Sequence, residues 1–264
     1  GLYGFFCILS SGGMIIFFGY VENYTIASLF ILFFLIISIQ KISENQKNFH
    51  ALFFPTVTAS FAILFHLVNG YLIFPLIYLW WISSEKNHYF KNALLSTIVG
   101  LAILIPFFIY FTFFSDVRVD MSQTHIAHPP FYPTSKMFST KHISEISSCI
   151  FLTCLAPFYI LTDSFFFGDK NISHYKNNKE FLFLILTASA FFLHAFTFHP
   201  LLGFPSDWDV VSFYWIPVSI TAAYVIQVKS SQKFIFIPIL LFSILVLVGN
   251  VYNLTKLNET KEMD

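Results

Sequence analysis

Apolar segments close in length to a membrane-crossing helix recur along the whole chain of 264 residues. They cover residues 3–20, 25–40, 51–68, 71–83, 92–115, 146–163, 181–197, 211–228 and 234–252. A helix of ~20 apolar residues crosses the hydrocarbon core, and a backbone in lipid must satisfy its own hydrogen bonds. The sequence therefore predicts an all-α, polytopic transmembrane bundle of about eight or nine segments.

The composition agrees with a membrane protein, because 56% of the residues are hydrophobic and only 11% are charged. The apolar runs leave no room for a soluble domain, so we expect one transmembrane helical domain over residues 1–252 and a polar tail over 253–264. The net charge is zero and there is no basic cluster, which argues against a nucleic-acid partner. Since the chain opens in apolar sequence at Gly1, it is expected to be the C-terminal portion of a longer protein.

The apolar run from 51 to 83 is too long for one crossing and short for two. Asn69 and Gly70 lie in its middle. A tight hairpin or a broken helix is therefore predicted there.

Lysine and arginine predict how the segments are oriented. If the chain crosses at every segment, nine of the fourteen basic residues fall on one side, namely Lys41, Lys47, Lys86, Lys91, Lys170, Lys176, Lys179, Lys229 and Lys233. The positive-inside rule makes that side cytoplasmic. The polar motifs near residues 22, 116–145 and 207 then all face outward.

Asp207-Trp208-Asp209 is the strongest candidate site on the outer side. Carboxylates beside a bilayer are costly, which favours a function for them. One aspartate could simply cap the following helix, but that alternative leaves the second unexplained. The pair could bind a divalent cation or accept hydrogen bonds from sugar hydroxyls while Trp208 stacks on the sugar.

Four further candidates lie on the same side. Glu22 and Asn23 occupy a short turn, where they could bind substrate or merely cap a helix at the membrane interface. His66 lies in an apolar stretch and is either a substrate-binding group or a hydrogen-bonded core residue. Arg118 is a candidate partner for a substrate phosphate.

Lys136, Lys141 and His142 are alternatives to Arg118 for that phosphate. His199, which opens the loop that leads to Asp207, completes the candidate substrate-binding residues. No dedicated metal site and no firm cofactor is predicted, and a divalent cation at the paired aspartates stays an open alternative.

Four blocks of sequence resemble a group of bacterial polytopic proteins similar to the C-type glycosyltransferases. They are residues 17–24 (FFGYVENY), 65–67 (FHL) with Phe74-Pro75, 137–144 (MFSTKHIS) with Ala156-Pro157, and 202–212 (LGFPSDWDVVS). The resemblance implies an all-helical protein of the bacterial inner membrane. It also implies transfer of a sugar from a polyprenyl-phosphate donor at the extracytoplasmic face.

Under this resemblance the catalytic candidates are Glu22, Asp207 and Asp209. Relatives tend to carry an arginine where this chain has Ser206, so a partner for a phosphate or carboxylate is either missing here or supplied by Arg118. The family's acidic catalytic motif has no match here, and the base is expected upstream of Gly1. A transporter or flippase and a noncatalytic assembly subunit are the alternative functions.

Overall fold

The computed structural model describes residues 24–114, 131–166, 177–200 and 208–228, together with single positions at 8, 11, 13, 241, 244 and 248. Within these residues the secondary structure is helical, apart from one isolated antiparallel bridge between Phe131 and Phe198. The predicted all-α class is confirmed.

Seven of the nine predicted apolar segments coincide with helices, and the first and last lie outside the described ranges. The α-helices are α1 (Tyr24–Ser43), α2 (His50–Phe65), α3 (Ile73–Ile82), α4 (Tyr89–Phe113), α5 (Thr134–Met137), α6 (Thr140–Phe166), α7 (Lys179–Thr197), α8 (Trp208–Val211) and α9 (Trp215–Val228). Short 3₁₀ helices cover Leu67–Leu72, Lys86–His88 and Ser212–Tyr214.

Four helical spans are long and apolar enough to cross a membrane: Tyr24–Ser43, Lys86–Tyr110, Thr140–Phe165 and Lys179–Thr197. α2 and the Leu67–Ile82 stretch are shorter apolar helices. These are the properties of an integral membrane protein. The larger total of eight or nine crossings stays a prediction.

α4 and α7 differ sharply in their surroundings. Half of the apolar window of α7 is buried inside the protein, against 6% of that of α4. The outward face of α4 carries large apolar side chains, including Leu94, Ile98, Leu101, Ile105 and Phe108. Such a continuous exposed apolar surface suits lipid rather than water, so α4 is the peripheral helix and α7 a central one.

The long run from 51 to 83 is interrupted at His66, whose backbone is extended (φ −159°, ψ 119°). The 3₁₀ helix Leu67–Leu72 follows and leads into α3. At rises of ~2.0 Å and ~1.5 Å per residue, this 3₁₀ helix and α3 together extend ~27 Å, close to the hydrocarbon thickness. The predicted break is confirmed, and the contacts below show that the chain reverses there.

One end of the bundle, called here the lysine end, is held together by polar contacts around the start of α7. Lys179 Nζ lies 3.5 Å from Asn45 Oδ1, just beyond α1. The hydroxyl of Tyr78, in the second half of α3, donates a hydrogen bond to the Lys179 carbonyl at 3.4 Å. Tyr224, late in α9, donates to Glu180 Oε2 at 2.9 Å. The ends of α1, α3 and α9 therefore meet the beginning of α7.

The opposite end, called here the histidine end, is defined by His66, His142, His194 and His199. It holds the beginnings of α1, α3 and α6 and the ends of α2 and α7, as the ring contacts described below show. α1, α2, α3, α6, α7 and α9 accordingly alternate in direction. This arrangement agrees with a crossing at each segment.

α6 is kinked where Pro157 removes a backbone donor. Cys154 has non-helical angles (φ −150°, ψ 36°) inside the helix. Because Pro157 has no N–H, the Thr153 carbonyl cannot form its normal helix bond. It accepts instead from the Gly13 N–H at 3.0 Å and from the Ser11 hydroxyl. The kink thus ties α6 to the N-terminal region.

Candidate functional site

Three aromatic rings at the histidine end bring together separate parts of the sequence. The ring centroids of Tyr24 and His66 are 5.3 Å apart, those of Tyr24 and Phe213 are 5.9 Å apart, and those of His66 and Phe213 are 5.5 Å apart. Tyr24 directly follows Glu22-Asn23, and Phe213 follows the Asp207–Asp209 motif closely in the chain. His66 therefore lies next to residues that flank Glu22-Asn23 and Asp207–Asp209, so parts of three predicted motifs are close together.

Several predicted site residues lie outside the described residues. These are Glu22, Asn23, Arg118 and Asp207. Trp208 and Asp209 belong to α8 by their backbone, while their side chains are not described. Because α8 begins directly after Asp207, the helix-cap alternative for this aspartate stays open. His66 and His199 are described, and both lie at the histidine end.

His66 has a defined hydrogen-bonding role. Its Nδ1 accepts the Val68 backbone N–H at 3.3 Å. An imidazolium has no acceptor nitrogen, so this bond requires the neutral ring with its proton on Nε2. The His66 carbonyl accepts the Asn69 N–H at 2.9 Å, which helps to hold the turn after α2. His66 therefore shapes the helix break and presents an Nε2–H donor.

Two further polar residues of this region are fully buried. His194, on α7, is 1% exposed, and neither ring nitrogen has a hydrogen-bond partner among the described residues. Asn69 is 0% exposed and donates from Nδ2 to the Ala62 carbonyl at 2.8 Å, while its Oδ1 has no partner in the same set. Buried polar atoms are normally paired, so these three atoms need an explanation.

The sequence reasoning missed His194. It stands in the apolar run of α7, where a single histidine looks like an ordinary core residue. The available signal was its position five residues before His199, where the Pro-containing loop begins. The His194 ring contacts the Tyr71 ring. This contact depends on the hairpin after α2, so it could not be predicted from the sequence.

Tyr132 links a second group of aromatic residues at this end. Its ring lies 4.3 Å from those of both His142 and His199. Its backbone N–H donates to the Thr197 carbonyl at 2.9 Å. Burial, followed by the nearby Glu145 carboxylate, raises the pKa of Tyr132 above its usual value. This group fastens the segment that begins at Phe131 to the end of α7.

Two of the alternatives to Arg118, His142 and Lys141, contact other residues in or near this second group. His142 Nε2 lies 2.9 Å from the Phe196 carbonyl, and its Nδ1 lies 3.9 Å from Glu145 Oε2. Lys141 Nζ lies 3.9 Å from Glu145 Oε1 although its side chain is 86% exposed. Lys136 is exposed on α5. Of the three, the two lysines are the more accessible to a phosphate.

An apolar groove of about 430 Å³ opens beside the histidine end. It is lined by Leu67, Gly70, Tyr71, Phe74, Phe131, Met137, Leu193 and Thr197. The Tyr71 and Thr197 hydroxyls, 3.3 Å apart, contribute its side-chain polar atoms. A groove of this chemistry suits a hydrocarbon chain better than a polar molecule.

Over the positions that the structure describes, no group of three or more His, Cys, Asp or Glu residues is arranged to hold a metal ion. The divalent-cation alternative rests on Asp207 and Asp209, whose side chains fall outside that set.

In comparisons with known proteins, no family model, no curated protein and no solved structure matches this chain. The fold and the site therefore define its class directly: a helical integral membrane protein with buried histidines and an apolar groove at one end. The resemblance to C-type glycosyltransferases stays a prediction.

Proposed function

We propose that this chain belongs to a membrane glycosyltransferase that takes a sugar from a polyprenyl-phosphate donor at the extracytoplasmic face. The observation that carries the proposal is the contact among Tyr24, His66 and Phe213. It supports a shared site because the residues next to two acidic motifs meet beside a histidine. The apolar groove at the same end is suited to the isoprenoid tail of such a donor.

In the proposed reaction an acceptor hydroxyl attacks the anomeric carbon of the sugar. The new bond joins the acceptor oxygen to that carbon, and the bond from the carbon to the phosphate oxygen breaks. The lipid phosphate leaves with the bonding electron pair, and a carboxylate takes the proton of the acceptor. Glu22, Asp207 and Asp209 are the candidates for carboxylate roles.

The remaining candidates would bind the substrate. Arg118 would hold the charge of the departing phosphate, and Trp208 would stack on the sugar. Asn23, His66 and His199 would supply hydrogen bonds. His66 suits this role because its Nε2 carries a proton when Nδ1 accepts the Val68 N–H.

The test is turnover of radiolabelled polyprenyl-phosphate mannose by the full-length protein in proteoliposomes. Of Glu22→Gln and Asp207→Asn, the variant that lacks the carboxylate taking the proton is expected to turn over about 100-fold more slowly, the usual loss for a group that transfers a proton. Glu85→Gln is the matched control, because Glu85 is exposed and pairs only with His88 at 3.6 Å among the described residues. Wild-type rates in both test variants would remove the two carboxylates from the site, and absence of turnover in the wild type would refute the function.

A transporter or flippase is the second candidate, and the helix break at His66 favours it. Interrupted helices with buried polar groups line the substrate paths of many transporters. Flux of the intact donor lipid across proteoliposomes, with the sugar still attached, would favour this alternative. A noncatalytic assembly subunit would show neither flux nor turnover.

A further inference from the structure

The apolar groove runs from one end of the bundle toward the middle of its length. Its lining comes from the helix break and the beginning of α3, from the end of α7, and from the segment that begins at Phe131. Phe131 pairs with Phe198, just beyond α7, and so lies at the histidine end. Leu193 lies one turn of α7 before Thr197, and both line the groove. The groove therefore starts where a membrane surface would lie and leads inward.

The open side of the groove continues as an apolar surface along α3. Phe74, Ile77 and Trp81 are 44%, 48% and 64% exposed. They follow one another at intervals of three and four residues, so they share one face of the helix. The 3₁₀ helix and α3 together extend over about the hydrocarbon thickness. A hydrocarbon chain in the groove can therefore follow this face toward the centre of the bilayer.

The side-chain hydroxyls of the groove are already hydrogen-bonded. The Thr197 hydroxyl donates to the Leu193 carbonyl at 2.7 Å, and the Tyr71 hydroxyl lies 3.3 Å from the Thr197 oxygen. Because the single proton of Thr197 goes to Leu193, Tyr71 is the donor in the second bond. Neither hydroxyl keeps a proton for a ligand, and none of the described lining residues is charged. The groove therefore selects a hydrocarbon chain over a sugar or another polar group.

A cation stands beside this apolar groove. Lys136 directly precedes Met137, which lines the groove, so their Cα atoms are ~3.8 Å apart. Lys136 is exposed and forms no ion pair with any residue that the structure describes, whereas Lys141 Nζ is 3.9 Å from Glu145 Oε1. A lysine stem can lie along apolar surface while its ammonium stays in water. Lys136 can therefore pair with an anionic headgroup above the groove.

We propose that the groove binds one acyl chain of an anionic membrane phospholipid, whose phosphate headgroup pairs with Lys136. An apolar channel that opens onto lipid and carries a cation at its surface end complements both parts of such a molecule. This inference goes beyond the proposed function and does not rest on it. The phospholipid occupies the groove when no polyprenyl-phosphate donor is present, and the tail of a donor would compete with its acyl chain.

The test is native mass spectrometry of the full-length protein in neutral detergent, with an equimolar mixture of phosphatidylglycerol and phosphatidylcholine that have identical acyl chains. The wild type should carry the anionic lipid about fivefold more often, the effect of one lysine near an anionic headgroup. Lys136→Gln should lose this preference and retain the zwitterionic lipid. Lys47→Gln is the matched control, because Lys47 is an exposed lysine at the lysine end, and it should keep the preference.

A second pair of variants tests the acyl-chain position. Nothing lies within 4 Å of a Cβ added at Gly70, so a larger side chain there would extend into the groove without meeting the protein. Gly70→Leu should lose most of the adduct of both lipids, since the leucine takes the space of the chain. Gly70→Ala adds only a methyl group and should retain them. If Gly70→Leu does not fold, the exposed Lys136 and Lys47 variants decide the matter.

Three results would overturn the inference: equal adducts of the two lipids on the wild type, the same preference in Lys136→Gln and Lys47→Gln, or wild-type lipid adducts on a folded Gly70→Leu. Polyprenyl phosphate added to the mixture distinguishes this inference from the proposed function. A wild type that retains polyprenyl phosphate but never phosphatidylglycerol overturns the inference and leaves the function standing. Phosphatidylglycerol bound as described, in a protein without sugar transfer, supports the inference and refutes the function.

Discussion

His66 and His194 look alike in the sequence, since each is a lone histidine among apolar residues. In the structure His66 ends a helix and has its Nδ1 occupied by a backbone N–H. His194 stays inside a regular helix with both nitrogens unpaired among the described residues. The proximity of Asn69 and Gly70 made His66 conspicuous. Nothing local marked His194, because its neighbours come from the hairpin more than 100 residues earlier in the chain.

Gly13 shows how closely the N-terminal region packs against α9. A Cβ added at this position would overlap the Trp215 ring. Trp215 is 4% exposed, so its ring has little room to move away. We predict that Gly13→Ala lowers the free energy of unfolding by about 1–3 kcal/mol, the usual cost of overpacking. Thermal unfolding in detergent measures this loss.

Gly70→Ala is the matched control for that substitution, because nothing lies within 4 Å of a Cβ added there. It should change the stability by less than about 0.5 kcal/mol. Equal effects of the two substitutions would contradict the contact between Gly13 and Trp215.

At the level of helices, hydropathy predicted most of the fold. The predicted segment 181–197 corresponds to α7 at Lys179–Thr197, and the predicted segment 211–228 corresponds to the helical stretch from Trp208 to Val228. Apolar length is enough for such predictions because lipid forces the backbone to bond to itself. The segment 146–163 fell short of α6, which begins at Thr140, because its first turns are polar.

Features that depend on contacts between distant helices could not be predicted. Pro157 accounts for the kink in α6, but the partners of the released Thr153 carbonyl, Ser11 and Gly13, lie more than 130 residues away. For the motifs beside Tyr24, His66 and Phe213, the sequence predicted only that they lie on the same outer side of the membrane. Its ring contacts depend on how α1, α2 and α9 pack.

The exposed apolar face of α4 leads to a prediction about membrane insertion. Leu101 is 46% exposed and lies midway along the helix. If this face meets lipid, Leu101→Lys should raise the apparent free energy of insertion by about 3 kcal/mol. A glycosylation-reporter assay of the α4 segment measures this change, with Leu101→Ala as the size control. A lysine accepted as readily as alanine would mean that α4 does not cross the bilayer at this depth.

At the level of the whole molecule, the chain has two chemically different ends. The lysine end is fastened by contacts of Lys179 and Glu180 with Asn45, Tyr78 and Tyr224. The histidine end holds the aromatic contacts of His66, the buried His194 and the apolar groove. The alternation of helices between these ends makes one prediction decisive, since every proposed substrate contact requires the histidine end to face outward.

Labelling of single cysteines in intact cells tests this orientation most directly. Ser135 on α5 and Ser43 at the end of α1 are exposed, and they belong to the histidine end and the lysine end respectively. The background should lack Cys7, Cys149 and Cys154, so that each variant carries one thiol. A membrane-impermeant maleimide is expected to label Ser135→Cys from outside, and to label Ser43→Cys only after the membrane is opened. Labelling of Ser43→Cys alone from outside, or of both positions from the same side, would contradict the proposed orientation and the site that depends on it.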